Sequence, residues 1–264
     1  MVFFRYSYLF KKNHTKNTYI FDFDETIATK AYIHYVIENA ADEVLGKKND
    51  LYTKDQLTQL LMKEIFSLSE ESKKEQKFPI PILSKALDIF REKYNVNIKK
   101  NHFEIAAKQI RITKGLKGVI SKLNKAGHQI IIIGGGYGAC DLIASVVQGI
   151  ISKENIYSGV SMFDSKNILK PTIEGFVNCA TGESFSDSWK KSEVIGLLKK
   201  QNKIRGKVIH IGDGENDLEA WTSGVIDNFI GFGINSQKEK VKNLAPYFIE
   251  NIKEFKKALI AASI

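Results

Sequence analysis

Asp22 and Asp24 stand one residue apart at the end of the apolar run Tyr19-Ile20-Phe21, with Thr26 two residues further on. Residues i and i+2 of an extended segment point the same way, so both carboxylates project together from the end of a buried strand. Burying unpaired charge is costly, so such a pair implies a cation or a reaction to serve. A second acidic loop, Gly212-Asp213-Gly214-Glu215-Asn216-Asp217, follows the apolar run Val208–Ile211. A glycine triplet, Gly134–Gly136, follows a third run, Gln129–Ile133. Any one carboxylate pair is most simply a helix cap or a salt bridge. Three special loops at equivalent strand ends point instead to a site, because ligands of open parallel sheets bind beyond the carboxyl ends of the strands.

The chemistry of the set is that of phosphoryl transfer. Clustered carboxylates repel one another, and Mg²⁺ is the usual hard cation shared by a few carboxylates and a phosphate. Bare amides of Gly134–Gly136, leading into a helix, would face an anion. Lys190 and Lys191 precede the helix that leads to the Asp213 strand, and either supplies a fixed positive charge. A carboxylate nucleophile, a neighbouring acid, a metal, a lysine and an amide nest together describe transfer through an aspartyl-phosphate.

The elements that position these residues are strands alternating with helices. Ile20–Phe23, Gln129–Ile133 and Val208–Ile211 read as buried strands, Phe229–Phe232 and Tyr247–Ile249 as further ones, and residues 156–178 as short strands with turns at Asp164–Asn167 and Pro171. Leu116–Ala126 (closed by Gly127), Ala139–Val147, Ser192–Lys200 and Ile252–Ala262 carry helical spacing. The pattern predicts an α/β fold, a Rossmann-like doubly wound parallel sheet. Between Ala31 and Ile112 the periodicity is helical throughout, over Ala31–Leu45, Lys54–Leu68, Ile82–Tyr94 and His102–Ile112. Breakers separate these helices at 46–50, 70–77, Pro79, Pro81 and 95–101. The expected organisation is a core of residues 1–30 and 112–264 with a helical cap, 31–111, inserted after the first motif.

Composition sets the frame. The chain has 264 residues, 43% hydrophobic and 11% aromatic, enough to bury a core. Its net charge of +9 is almost wholly lysine, the arginines being Arg5, Arg91, Arg111 and Arg205. Base readout favours the guanidinium fork, so no nucleic-acid partner is expected. Cys140 and Cys179 make no disulfide framework and no zinc spacing, which fits a reducing interior. No apolar run approaches the roughly 20 residues of a membrane span. The start, Met-Val-Phe-Phe-Arg-Tyr-Ser-Tyr, makes a poor signal peptide and reads as a packed extra segment, so a cytoplasmic location is expected.

Asp22-Phe-Asp24-Glu-Thr26 resembles the DxDxT motif of the haloacid dehalogenase superfamily, and Gly212–Asp217 resembles its GDGxND motif in the phosphoserine-phosphatase-like branch. Gly134-Gly-Gly-Tyr137 occupies the place of that branch's Ser-Gly-Gly-Phe loop, and Lys191, with Ile195 four positions on, fits the lysine motif better than Lys190. The resemblance implies a Mg²⁺-dependent phosphomonoester hydrolase. Asp22 would be nucleophile and metal ligand, and Asp24 acid/base and a backbone-carbonyl ligand. Asp213 would be the acidic metal ligand, and Asp217 would orient Lys191 or the metal's waters. Lys191, Gly134, Gly135, Gly136 and Asn216 would bind phosphate, with Thr26 supporting the loop. Dehalogenases lack the second aspartate and transport ATPases carry threonine there, so Asp24 favours phosphomonoesterases or phosphomutases. The long interval from Asp22 to Gly134 places the insertion as a lid after the first motif, hinged at Ile27–Lys30 and Arg111–Gly115.

Two departures from the family pattern stand out. Gly134 replaces the usual Ser or Thr, removing a hydroxyl from the phosphoryl site, for which a water or Tyr137 could substitute. The glutamate by which phosphoserine phosphatases hold the substrate ammonium falls near Ala31, which argues against phosphoserine. Arg111, where the cap returns to the core, is the candidate anion contact from the lid, with a surface salt bridge as its alternative; His34 and Tyr35 read as helix core or surface. A phosphorylated small molecule or a phosphoprotein would be the substrate. A phosphotyrosine-type protein phosphatase, a phosphomutase and a catalytically weak binding protein are the alternatives.

Overall fold

The computed structural model describes residues 16–46, 52–75, 79–134, 139–186 and 190–263. The aromatic, basic start and residues 135–138, which hold Gly135, Gly136 and Tyr137, lie outside the described residues. Among the described residues the sheet has eight strands: β1 (Thr18–Phe21), β2 (Gln129–Gly134), β3 (Ile156–Phe163), β4 (Leu169–Asn178), β5 (Ser184–Ser186), β6 (Val208–Gly212), β7 (Asn228–Phe232) and β8 (Tyr247–Ile249). Their order is β5-β4-β3-β2-β1-β6-β7-β8. From β3 to β8 every pairing is parallel, and β4 and β5 extend the sheet antiparallel. Hydrophobic periodicity foretells the strands but not this change of direction, which the turn at 164–168 makes.

Helices cover both faces. Tyr19, Phe21, Ile130, Ile132, Ile209 and Ile211 pack on one face with helices α5 (Leu116–Lys125) and α10 (Ile252–Ser263). Ile20, Ile131, Ile133 and Val208 face the other way, toward α7 (Lys191–Lys200) and α8 (Glu215–Thr222). The alternation follows from the pleat, and strands buried on both faces need the near-continuous apolar runs that the sequence has. Carried one residue past Phe21, it turns Asp22 toward the face of α7 and α8.

Helices α1 (Tyr32–Leu45), α2 (Lys54–Glu75), α3 (Pro79–Tyr94) and α4 (Lys100–Gln109) form the inserted cap. The charged 70–77 run is expected to be a solvated loop or a helix end, and its described part is the end of α2, which continues through Glu75. Pro79 and Pro81 are expected as breakers, yet they fall in the first turn of α3, where a missing N–H costs nothing. Pro171 does not make a turn either. It lies within β4, in the stretch where the register with β3 shifts, a place where a sheet tolerates proline. The remaining helices are α6 (Cys140–Val146), between β2 and β3, and α9 (Glu239–Leu244), between β7 and β8.

Among the described residues, three attachments of the cap stand out. Ala28 bridges Ile112, and Thr29 N–H donates to the Arg111 carbonyl at 3.0 Å, at the two expected hinges. The third attachment is new. The tip of the β3–β4 hairpin meets the loop before α4: Lys99 bridges Ile168, Leu169 N–H donates to the Ile98 carbonyl at 2.8 Å, and Phe103 stacks edge-on against Phe163 at 5.7 Å. Cys140 and Cys179, expected to be separate thiols, are joined as a disulfide with Cα atoms 5.4 Å apart, linking the start of α6 to the end of β4. Strand order brings them together across 39 positions, which spacing in sequence does not reveal.

Candidate active site

The chain leaves β1 still extended at Asp22 (φ −70°, ψ 159°), whose N–H donates to the Ile211 carbonyl at 2.8 Å. That bond holds Asp22 against the end of β6, where Gly212 and Asp213 follow. Glu25 takes a left-handed conformation (φ 53°), which a glutamate seldom adopts, and the chain turns there toward the cap.

Lys191, the first residue of α7, joins the motifs. Its Nζ donates to Asp22 Oδ1 and to Asp217 Oδ1, each at 2.5 Å. The three side chains are 3%, 9% and 2% exposed, so the lysine is a fixed internal cation. Lys190, one residue earlier, is exposed. Asp217 is fully committed: Oδ1 also accepts from His210 Nε2 at 2.7 Å, and Oδ2 accepts from the Gly214 N–H at 2.9 Å. Its carboxyl lies directly over Gly212, where a Cβ would collide with it, so only glycine fits there. His210 is wholly buried in β6. The sequence shows it only as a polar interruption in an otherwise apolar run, and nothing at sequence level marks it as part of the site.

Asp213 is 3% exposed and its Oδ2 accepts from Lys238 Nζ at 2.6 Å. Asp24 Oδ1 accepts from the N–H of Tyr32, the first residue of the cap helix α1, at 2.8 Å. Among the described residues, Asp22, Asp213 and Asp217 form a cluster with carboxylate oxygens within 4.8 Å of one another. Asn235, from the loop after β7, donates to the carbonyl of Glu25 at 3.0 Å and to Thr113 Oγ1 at 2.6 Å, bracing the turn against the returning hinge.

Charge is distributed unevenly. Burial pushes the Asp22 carboxyl up, against the pull of Lys191. Burial and then the neighbouring Asp22 push Asp24 well above the carboxylate range. Asp213 is pushed up to about 8 by burial and by Asp22, against Lys238. Burial alone would raise Asp217 too, but Lys191 and His210 hold it well below the usual range. Burial would lower Lys191, and the two aspartates it bridges overcome this and raise it. The site thus resists full ionisation of its carboxyls, most clearly at Asp213, and a hard divalent cation would relieve that repulsion. Asp217, with both oxygens accepting N–H bonds, is the least suited of the three to ligate.

The other expected residues are less convergent. Asn216 is exposed on α8. Arg111 is exposed at the hinge, and its carbonyl, which accepts from Thr29, is the group engaged there. Tyr35 packs on the apolar core and His34 lies 6.3 Å from Phe66, both as ordinary cap packing. Gly134 pairs with Ser158 of β3. A Cβ on Gly134 would come 2.6 Å from Ile143 Cδ1, so the isoleucine of α6 fills the space a serine would need.

A family profile for haloacid dehalogenase-like hydrolases matches residues 16–222. The chain belongs to that family. Its curated relatives are phosphoserine phosphatases. The human protein is 32% identical over 151 residues, covering 57% of this chain and 62% of the relative, and the Drosophila melanogaster protein 31% over 150 residues, covering 54% and 49%. The match therefore spans about three fifths or less of the length of those relatives. Among solved structures, a phosphoserine phosphohydrolase-like protein from Francisella tularensis superposes with a TM-score of 0.67 at 24% identity, covering 92% of this chain and 99% of the other. A phospho-aspartyl intermediate analogue of phosphoserine phosphatase superposes at 0.62 and 19% identity, covering 93% and 99%. At those identities the superpositions establish the shared fold. No helix among the described residues is long and apolar enough to cross a membrane.

Proposed function

We propose that this chain is a Mg²⁺-dependent phosphomonoester hydrolase acting through an aspartyl-phosphate on Asp22, with residues 31–111 as the cap over its site. The observation that carries this reading is the buried Lys191 held at 2.5 Å by both Asp22 and Asp217, beside Asp213. An ammonium so placed opposes the upward push of burial on Asp22, aims one of its oxygens, and neutralises the incoming phosphoryl group.

Asp22 attacks phosphorus through its carboxylate as the bond from phosphorus to the leaving oxygen breaks. Asp24, whose proton is retained by burial and by the charge of Asp22, gives that proton to the leaving oxygen. A water then attacks phosphorus, Asp24 takes its proton, and Asp22 is released as carboxylate. Asp22, Asp213 and the Asp24 carbonyl would hold Mg²⁺, which when bound offsets charge on the phosphoryl oxygens. Asp217 acts behind Lys191, orienting it. The Tyr32 amide on Asp24 couples the acid to the first turn of the cap, so cap position bears on proton delivery. The amides of Gly134–Gly136 and the Asn216 side chain complete the proposed phosphate contacts.

Ala31 stands where the relatives' ammonium-binding glutamate would fall. We therefore assign a phosphorylated small molecule other than phosphoserine, with a phosphotyrosine-type protein substrate as the second reading. A panel of phosphorylated metabolites and phosphopeptides with Mg²⁺ tests both, with Asp22→Asn as control. Mg²⁺-dependent phosphate release that Asp22→Asn abolishes is expected. No turnover of any panel member would overturn the assignment.

A further inference from the structure

Two lysines enter the acidic site, and they are held very differently. Lys191 is buried between two carboxylates and has no other place to go. Lys238 comes from outside the recognised motifs, at the residue before α9. Its side chain is 43% exposed. Its Nζ lies 2.6 Å from Oδ2 of the buried Asp213 and 3.4 Å from Oε2 of Glu25, a carboxylate near the surface of the site. The loop that delivers it is anchored through Asn235 to the Glu25 carbonyl and to Thr113. Lys238 and Glu25 thus approach the same edge of the site from two braced segments.

We propose that Lys238 is a displaceable internal counter-ion: it neutralises Asp213 while the metal position is empty and withdraws to Glu25 when a divalent cation binds. This rests on the assignment of Asp213 as a metal ligand. A carboxylate that ligates Mg²⁺ does so at about 2.1 Å, and an ammonium hydrogen-bonded to the same group would face the ion at close range with like charge. One of the two must yield. Lysine is a point charge on a flexible four-carbon stem, and this one already has a second carboxylate within reach and open solvent beside it. Metal binding then becomes an exchange of cations. The apparent affinity is reduced by the fraction of molecules in which Lys238 holds Asp213.

Titration calorimetry of the purified full chain with MgCl₂, at fixed ionic strength and at a fixed alkaline pH where Asp213 is ionised, tests this directly. Lys238→Met should bind Mg²⁺ on the order of tenfold more tightly than wild type, since the competing cation is gone. Lys238→Gln should do the same, and Lys238→Arg, which keeps the charge, should not. In thermal melts, Lys238→Met should be less stable than wild type in chelator and should gain more from Mg²⁺. Binding in wild type that Asp213→Asn loses, at an affinity that both neutral variants leave unchanged or lower, would overturn the inference and leave the metal site standing. No Mg²⁺ binding by any variant would overturn the metal assignment and this inference with it.

Discussion

Gly134 is the position where this site departs most from its family, and its neighbours determine what restoring a hydroxyl would do. Serine there would press its Cβ on Ile143 Cδ1, the end of a side chain that can shift only within a packed core. Gly134→Ser alone should lower stability by about 1–3 kcal/mol, the usual cost of overpacking. Gly134→Ser with Ile143→Val should recover most of it, read from urea midpoints. The added hydroxyl also has a rival partner: the Ser158 hydroxyl is buried without a hydrogen bond among the described residues and lies 3.7 Å from the new Cβ. Turnover rising in the double variant would mean the hydroxyl reaches substrate, and unchanged turnover with added stability would mean Ser158 captures it. Behind the lysine, Asp217→Asn should leave Lys191 with one carboxylate instead of two, and kcat should fall about 10²-fold or more while the fold survives. Unchanged kcat would remove Asp217 from the orienting role. Asp22, Asp213 and Lys191 were legible because each sits at the end of an apolar run or the start of a helix, where spacing fixes direction. His210, Asn235 and Lys238 were not, because their partners are set by how separate loops close.

Strong periodicity makes helices and strands legible in sequence, as in β2 with its isoleucines and α5 ending before Gly127 at φ 86°. Proline is a poor stop signal here, because Pro79 and Pro81 open α3 and Pro171 lies within β4. The antiparallel pair β4–β5 and the hairpin's grip on the cap are long-range facts that local pattern does not carry. That grip has a measurable consequence. Phe103 packs against Tyr32 at the start of the cap and Phe163 on the hairpin. Phe103→Ala should cost about 3–5 kcal/mol. Faster hydrogen exchange should appear at the Lys100 and Leu169 amides, which cross the junction. The disulfide works at the same scale. Cross-linking positions 39 apart should contribute about 4 kcal/mol on the chain-entropy account. Melts with and without reductant, and Cys140→Ser, check this; equal stability in all three would show that the bond adds nothing.

Over the whole molecule, pH and metal act through the same carboxylates with opposite signs. Asp213 is pushed up to about 8, so from its ordinary range near 4 up to about 8 the folded chain holds a proton the unfolded chain does not. Its contribution to stability is complete below that ordinary range and is lost as pH rises toward 8. Asp217 is depressed by Lys191 and His210, so its contribution is present above the ordinary range and lost as pH falls. The metal-free protein should therefore be most stable in mild acid and should lose melting temperature steadily from about pH 5 to about pH 8. A divalent cation opposes the Asp213 slope, because ligation at Asp213 requires the ionised form and releases its proton. Mg²⁺ affinity should then climb by up to about tenfold per pH unit before levelling near pH 8, and saturating Mg²⁺ should flatten the melting profile. Asp213→Asn should shallow the slope in chelator, leaving the part that the raised Asp22 and Asp24 carboxyls contribute, and should abolish the response to Mg²⁺. Melts across pH in chelator and in Mg²⁺ separate these terms, and an affinity for Mg²⁺ that stays constant between pH 6 and 8 would show that the proton on Asp213 is not the one the metal displaces.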